Sequence, residues 1–243
     1  MSALLEAAHL SKAYGGVEAV RDVSFTLEAG EMLALIGPNG AGKSTCFGML
    51  GGQVKPDRGE VRLDGRPITG FSPRKVWALG VGRTFQTAET FASMSVAENV
   101  ETALLSRPGD RKAEARRLLC VVGLADAAER PAGELSYGDL KRLELALALS
   151  NTPRLLLMDE PTAGMASGER TALMRLVADI ARERRMGVLF TEHDMDVVFA
   201  HAGRVLVLDR GRLIAEGAPE EIRADPEVRA VYLGEGLTFS GAS

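Results

Sequence analysis

Residues 37–45 read GPNGAGKST, that is Gly37, Pro38, Asn39, Gly40, Ala41, Gly42, Lys43, Ser44 and Thr45, and they follow the apolar run Met32–Ile36. The segment fits GxxxxGK[ST] and lies between an expected strand and a helix expected from Lys43, which is the context that pattern requires. Glycines at these spacings let consecutive backbone N–H groups turn inward on a phosphate, while the following helix offers its positive end. Lys43 is then expected to reach the β- and γ-phosphates of a nucleotide, and the Ser44 hydroxyl to ligate Mg²⁺. A glycine-rich strand-to-helix turn without a ligand is the bland alternative, and the Lys-Ser ending weighs against it.

A second apolar run, Leu155, Leu156, Leu157 and Met158, ends in Asp159 and Glu160. A strand that delivers carboxylates to a magnesium site has this form. Asp159 is expected to hold Mg²⁺ directly or through water, and Glu160 to orient and deprotonate an attacking water. Alone, an Asp-Glu pair at a strand end reads equally well as a solvated turn or an N-cap. The phosphate loop decides between the two.

Short β-like stretches alternate with helical ones: a helix follows Asp159 from about Ser167, and a strand over 188–191 precedes a helix over 195–200. That alternation predicts a parallel sheet covered by helices. In the helix after Gly168, Leu173, Leu176, Val177 and Ile180 fall on one face, basic Arg182, Arg184 and Arg185 sit at its end, and Gly187 is expected to stop it. Near the start, Val23, Phe25 and Leu27 alternate with polar residues, and Val61 and Leu63 follow a turn at 57–59, which predicts antiparallel strands. From 95 to 150 the pattern is helical throughout. After a strand at 204–208, two short extended pieces, a small helix over 226–233 and a loose tail from 236 are expected.

Bulk properties narrow the function classes. The chain has 243 residues, 46% hydrophobic and 26% charged, enough for one globular unit with a substantial core. No apolar run approaches the roughly 20 residues that cross a bilayer, and residues 1–10 lack the basic start and apolar block of a leader, so a cytoplasmic location is expected. With 29 basic against 33 acidic residues the net charge is −4, which argues against nucleic acid as a partner. Cys46 and Cys120, among apolar neighbours and without metal-site spacing, read as buried inert thiols.

Taken in order, the phosphate loop, Gln86 in RTFQ, LSYGD at 135–139, LLLMDEP and His193 resemble an ABC ATPase nucleotide-binding domain over nearly the whole chain. The resemblance implies an α/β phosphate-loop NTPase fold with a mostly parallel core sheet, an antiparallel β subdomain and an inserted helical signature subdomain. It implies a single domain over 1–243, with core and β subdomain at about 1–94 and 151–243 and the helical subdomain at about 95–150. It further implies Mg-ATP as cofactor and ATP hydrolysis as reaction. Ser136 and Gly138 would face the γ-phosphate held by an opposite subunit, Gln86 would contact Mg²⁺ or the attacking water, and His193 would bond the γ-phosphate. Tyr14 would stack on adenine. A lone loop histidine is otherwise usually solvated, which is the reading for His9 and His201.

The stretches SKAYGGVEAVRDVSF, GVGRTFQ, DEPTAGM and AEGAPEEIRADPEVRAVYLGEG resemble the ATPase subunits of branched-chain amino acid importers and their urea or amide relatives. That similarity implies a location on the inner face of the cell membrane, transmembrane permease subunits, a second identical or related ATPase subunit, and, indirectly, a periplasmic or extracellular binding protein. The region of Phe85, Phe91, Met94 and Val96 is where a permease docking groove should lie, although such spacing more often marks subdomain core. Alternatives are the ATPase of an exporter or lipid-extraction system, and a soluble ABC ATPase uncoupled from transport. The chain departs from the family at Tyr137, Asp139 and the Met165-Ala166 pair, where Gly, Gln or Glu, and Leu-Asp are usual.

Overall fold

The computed structural model describes residues 3–84 and 90–233. In chain order its elements are β1 (Leu5–Tyr14), β2 (Val17–Leu27), β3 (Met32–Ile36), α1 (Lys43–Leu50), β4 (Arg58–Leu63), β5 (Arg66–Pro67), α2 (Pro73–Ala78) and β6 (Val81–Thr84). There follow α3 (Val96–Ala103), α4 (Arg111–Val122), α5 (Tyr137–Leu149), β7 (Leu155–Asp159), α6 (Ser167–Arg184), β8 (Gly187–Thr191), α7 (Met195–His201), β9 (Arg204–Asp209), β10 (Arg212–Gly217), α8 (Pro219–Ala224) and α9 (Pro226–Leu233). Two single 3₁₀ turns lie between α4 and α5.

The strands form two sheets, one antiparallel in the order β2-β1-β4-β5 and one in the order β10-β9-β3-β8-β7-β6. In the second, every described pairing is parallel except β9 with β10. Alternation along β2 works as expected: Val23, Phe25 and Leu27 are buried while Ser24 and Thr26 are exposed. Residues of β3 instead are buried without interruption, because both faces of the parallel sheet are covered. Met32, Ala34 and Ile36 enter the core shared with the helices, whereas Leu33 and Leu35 enter the core between the two sheets. Strands β7 and β8 divide their side chains in the same way.

Three expectations are corrected. Helix α6 ends at Arg184, with Arg185 in the left-handed region at φ 50, and Gly187 opens β8. Gly187 serves close packing: an added Cβ would lie 2.3 Å from Leu27 Cδ2 and 2.7 Å from Leu4 Cδ2. After β9 there is one further strand, β10, followed by α8, which the turn-like Gly-Ala-Pro sequence conceals. Cys46 is buried, but Cys120 is exposed. On α4 the buried face is Ala115, Leu118, Leu119 and Val122, and position 120 points away from it.

Residues 95–150 carry helices and turns, crossed only by an isolated bridge between Ser95 and Pro131. Ser95 and Glu98 close a reciprocal capping box at the start of α3, and the Asp110 side chain caps α4. Among the described residues no helix is long and apolar enough to cross a membrane. The tail expected from 236 lies outside the described residues.

Candidate functional site: a phosphate loop at the sheet edge

Strands β3, β8 and β7 are neighbours in the parallel sheet, so the segments that leave their C-terminal ends converge. Those segments are 37–45, 192–194 and 160–166, far apart in sequence and brought together only by strand order. Ligands of open α/β sheets bind at this edge.

The loop after β3 is shaped by glycines in backbone conformations that residues with a Cβ rarely adopt. Gly37, Gly40 and Gly42 have φ of 151, 79 and 108. A Cβ at Gly37 would sit 2.2 Å from the Leu208 carbonyl oxygen, and one at Gly42 would sit 2.4 Å from that of Ala19. Helix α1 starts at Gly42 with no side-chain cap and no acidic residue in its first turn, so its positive end has no anion of its own. The Lys43 ammonium, 7% exposed, donates to the carbonyls of Gly37 at 2.6 Å and Pro38 at 3.1 Å, holding the loop in a cradle. Ser44 is exposed beside it.

Asp159 ends β7 almost completely buried, and its Oδ1 accepts from the Thr191 hydroxyl at 2.7 Å. The same hydroxyl oxygen accepts from the Glu160 N–H at 3.0 Å. That contact supports Glu160 in the left-handed region, φ 49, a conformation that costs energy for a residue with a Cβ and recurs at functional sites. Glu160 Oε1 lies 2.9 Å from His193 Nε2. Behind them, Glu192 Oε1 accepts from both the N–H and the hydroxyl of Thr162, at 2.8 and 2.7 Å. Burial pushes the Glu192 carboxyl up, and the two Thr162 donors and the His193 N–H oppose that shift. Thr191, Glu192 and Thr162 thus tie the ends of β7 and β8 together.

The sequence signalled Asp159, Glu160 and His193, and the structure brings them to one place. It did not signal Thr191, Glu192 or Thr162. A polar residue closing the apolar run of β8 was the one available cue.

Further along, the Ser136 hydroxyl caps α5 by accepting from the Asp139 N–H at 3.2 Å. Helix α5 therefore begins at Tyr137, directly after its cap. A Cβ at Gly138 would meet Glu169 Oε1 at 2.8 Å, so α5 packs closely on the start of α6. Tyr137 donates its hydroxyl proton to the Ala163 carbonyl at 3.0 Å and lies against Gly164. Tyr14 ends β1 with 49% of its surface exposed and the Lys12 ammonium 5.5 Å from its ring centroid. Of the expected docking group, Phe91 is exposed, Met94 half-buried and Val96 part of the core. Gln86 and Phe85 lie outside the described residues.

A glycine cradle on a bare helix start, a buried lysine and a carboxylate pair at the end of β7, one strand removed from β3, define a phosphate-loop nucleotide-binding protein. The family model described as "ABC transporter" matches residues 20–163, and the chain belongs to that family, whose cassettes are ATPases. Residues 212–238 match a second model, "Branched-chain amino acid ATP-binding cassette transporter". The high-affinity branched-chain amino acid transport ATP-binding protein BraF of Pseudomonas aeruginosa is 38% identical over 96% of this chain and 98% of its own length. The lipopolysaccharide export system ATP-binding protein LptB of Acidithiobacillus ferridurans is 40% identical over 97% and 98%. Among solved structures, the ADP conformation of MJ1267, an ATP-binding cassette of an ABC transporter, superposes with a TM-score of 0.90 at 30% identity, covering 96% of this chain and all of that one. A dimeric post-hydrolysis state of the cassette MJ0796, bound to ADP and Pi, gives a TM-score of 0.79 at 26% identity, over 88% and 98%.

Proposed function

We propose that this chain powers an importer of branched-chain amino acids or related solutes by hydrolysing Mg-ATP at the edge of β3, β7 and β8. The observation that carries the import reading is the match of residues 212–238 to the branched-chain cassette model, in a segment remote from the nucleotide site. Similarity to BraF over 96% of the chain supports it. An export function is favoured by the LptB similarity alone, and the C-terminal match weighs against it.

In this reading Asn39, Gly40, Ala41, Gly42 and Thr45 offer backbone N–H groups to the phosphates, Gly37 and Pro38 shape the turn that aims them, and Lys43 supplies the positive charge. The oxygen donors Ser44 and Asp159 suit a hard cation that keeps several of its waters, with Gln86 as a further ligand. Bound there, Mg²⁺ would neutralise charge on the phosphates. Glu160 takes the proton of the attacking water. His193 holds the Glu160 carboxylate at 2.9 Å and is the group that would turn to the γ-phosphate of a bound nucleotide. Tyr14 stacks on adenine, as an exposed ring at a strand end can.

Ser136 and Gly138, at the start of α5, complete the phosphate loop of a second cassette. The domain division follows: residues 95–150 form the unit that carries this signature, inserted in a core of 1–94 and 151–243. Permease subunits dock near Phe91 and Met94 and hold the cassette pair on the inner face of the membrane, with a substrate-binding protein on the far side. The test is uptake by vesicles that contain the chain with the permease subunits encoded beside it. ATP-dependent accumulation of L-leucine, absent with Lys43→Ala, is expected; ATP-dependent efflux of a lipid without amino acid uptake contradicts the import reading.

A further inference from the structure

On the side of the parallel sheet where the chain enters its strands, we infer that Arg154, Arg184 and Arg185 form a second anion site, one that takes a phosphate-bearing ligand. A cavity of about 550 Å³ there is lined by Ala29, Thr152, Pro153, Arg154, Arg184 and Arg185. These residues stand just ahead of β3, β7 and β8, the three strands whose other ends lead to the phosphate loop, Asp159 and His193. Strand β7 has five residues, so about 17 Å separates its two ends. The cavity and the nucleotide site share no residue.

No carboxylate lines this cavity, and the acidic groups around it are engaged elsewhere. Asp64 pairs with Arg154. Both Glu114 carboxylate oxygens accept from Arg117, at 2.8 and 2.7 Å. Arg184, half-buried at the end of α6, is left over: its Nη1 is buried without a hydrogen-bond partner, and it forms no close ion pair among the described residues. Desolvation pushes the Arg184 pKa down and Arg117 adds to the fall, while Glu183 and Glu114 oppose it from beyond ion-pair distance. Arg185 is exposed beside it and likewise forms no close ion pair among the described residues.

The carbonyl end of α6 accounts for basic residues on that helix, as with Arg182, which pairs with Asp179. It does not account for Arg154, which arrives from the segment before β7. Thr152 also lines a neighbouring cavity of about 510 Å³, where Arg107, Arg111 and Arg117 stand with Asp110 and Glu114. Asp110 there accepts from the first N–H groups of α4, and Arg107 donates to the Ser150 carbonyl. Positive charge therefore gathers from three separate stretches of chain around one cleft.

A half-buried guanidinium without an acceptor, near a second guanidinium, is costly until an anion joins it. An apolar ligand would find only Ala29 and Pro153 and leave the charge unanswered. A monocarboxylate would answer one guanidinium, whereas Arg184 and Arg185 present two. A phosphate group carries close to two negative charges at neutral pH and meets the guanidinium fork through paired N–H···O bonds. Arg184 is then the buried anchor, and Arg185 and Arg154 close the rim.

The test is calorimetric titration with pyrophosphate of the full chain carrying Lys43→Ala, which removes the anchor of the phosphate loop. Saturable binding is expected, weakening as salt rises. Adding Arg184→Gln should weaken it by about tenfold or more, the scale of one charge-assisted hydrogen bond, and adding Arg185→Ser on the exposed rim by a smaller factor. Pyrophosphate should also raise the denaturant midpoint of the Lys43→Ala protein and leave that of the Arg184→Gln double variant nearly unmoved. If Arg184→Gln fails to fold, its own unfolding transition shows it and Arg185→Ser decides. Sedimentation with vesicles of phosphatidic acid in phosphatidylcholine separates the sources of phosphate: co-sedimentation lost with Arg184→Gln or Arg185→Ser assigns a lipid headgroup, pyrophosphate binding without co-sedimentation assigns a soluble ligand, and either upholds the site. Absence of saturable binding to both pyrophosphate and vesicles, or binding that Arg184→Gln and Arg185→Ser leave unchanged, overturns it.

Discussion

Cys46 and Cys120 look alike in sequence and differ in the fold. Burial within α1 pushes the Cys46 thiol up to about 12, and Cys120 stands on the outer face of α4. Since the thiolate is the reactive form, maleimide at about pH 8 should label one thiol in the folded protein, Cys120, and a second only after unfolding. Raising the pH by a further unit or two should not expose Cys46, because its thiolate is absent until near the shifted value. Two thiols labelled at equal rates in the folded state would contradict this. The same contrast explains which site residues could be read in advance. Lys43, Ser44, Asp159 and Glu160 belong to local patterns dictated by phosphate chemistry. Thr191, Glu192 and Thr162 act through hydrogen bonds that span 30 residues or more and exist only once β7 and β8 are neighbours.

Elements were legible where hydrophobic pattern and packing agree. Strands β3 and β7, helix α1 and the face of α6 stand where periodicity puts them. Strand β6 was not readable, because Val81-Gly82-Arg83-Thr84 contains one large apolar residue and gains its place by pairing with β7. Gly82 there is a spacing residue: a Cβ would approach the Ala148 carbonyl oxygen to 2.7 Å. Gly187 was misread for a similar reason, as a helix stop instead of a point where β8 meets Leu4 and Leu27. Gly187→Ala should therefore destabilise the fold by about 1–3 kcal/mol, the cost of overpacking a filled core. Denaturant unfolding measures it, and ATP affinity should stay unchanged in the folded fraction. A neutral or stabilising effect would show that the two sheets yield at that contact.

At the scale of the molecule, the order β3-β8-β7 brings three separate chain segments to one place, and in the proposed reading Ser136, the cap of α5, serves the phosphate loop of a second copy or a related cassette. Ser136→Arg should accordingly lower hydrolysis at a site whose phosphate loop belongs to the other chain, while Lys43→Ala disables the loop of its own. Placed on one polypeptide that pairs with itself, both lesions act on every site. A lone chain with full activity at all concentrations would contradict the shared arrangement. The central claim is that Glu160 is the base at a phosphate loop that binds ATP without it. It is tested most directly by phosphate release from Glu160→Gln at saturating ATP, read beside the ATP affinity of the same preparation. The account predicts loss of turnover by at least about a hundredfold, the lower range for removing a general base, with nucleotide affinity retained. Brisk phosphate release by that variant, or loss of ATP binding together with activity, would contradict it.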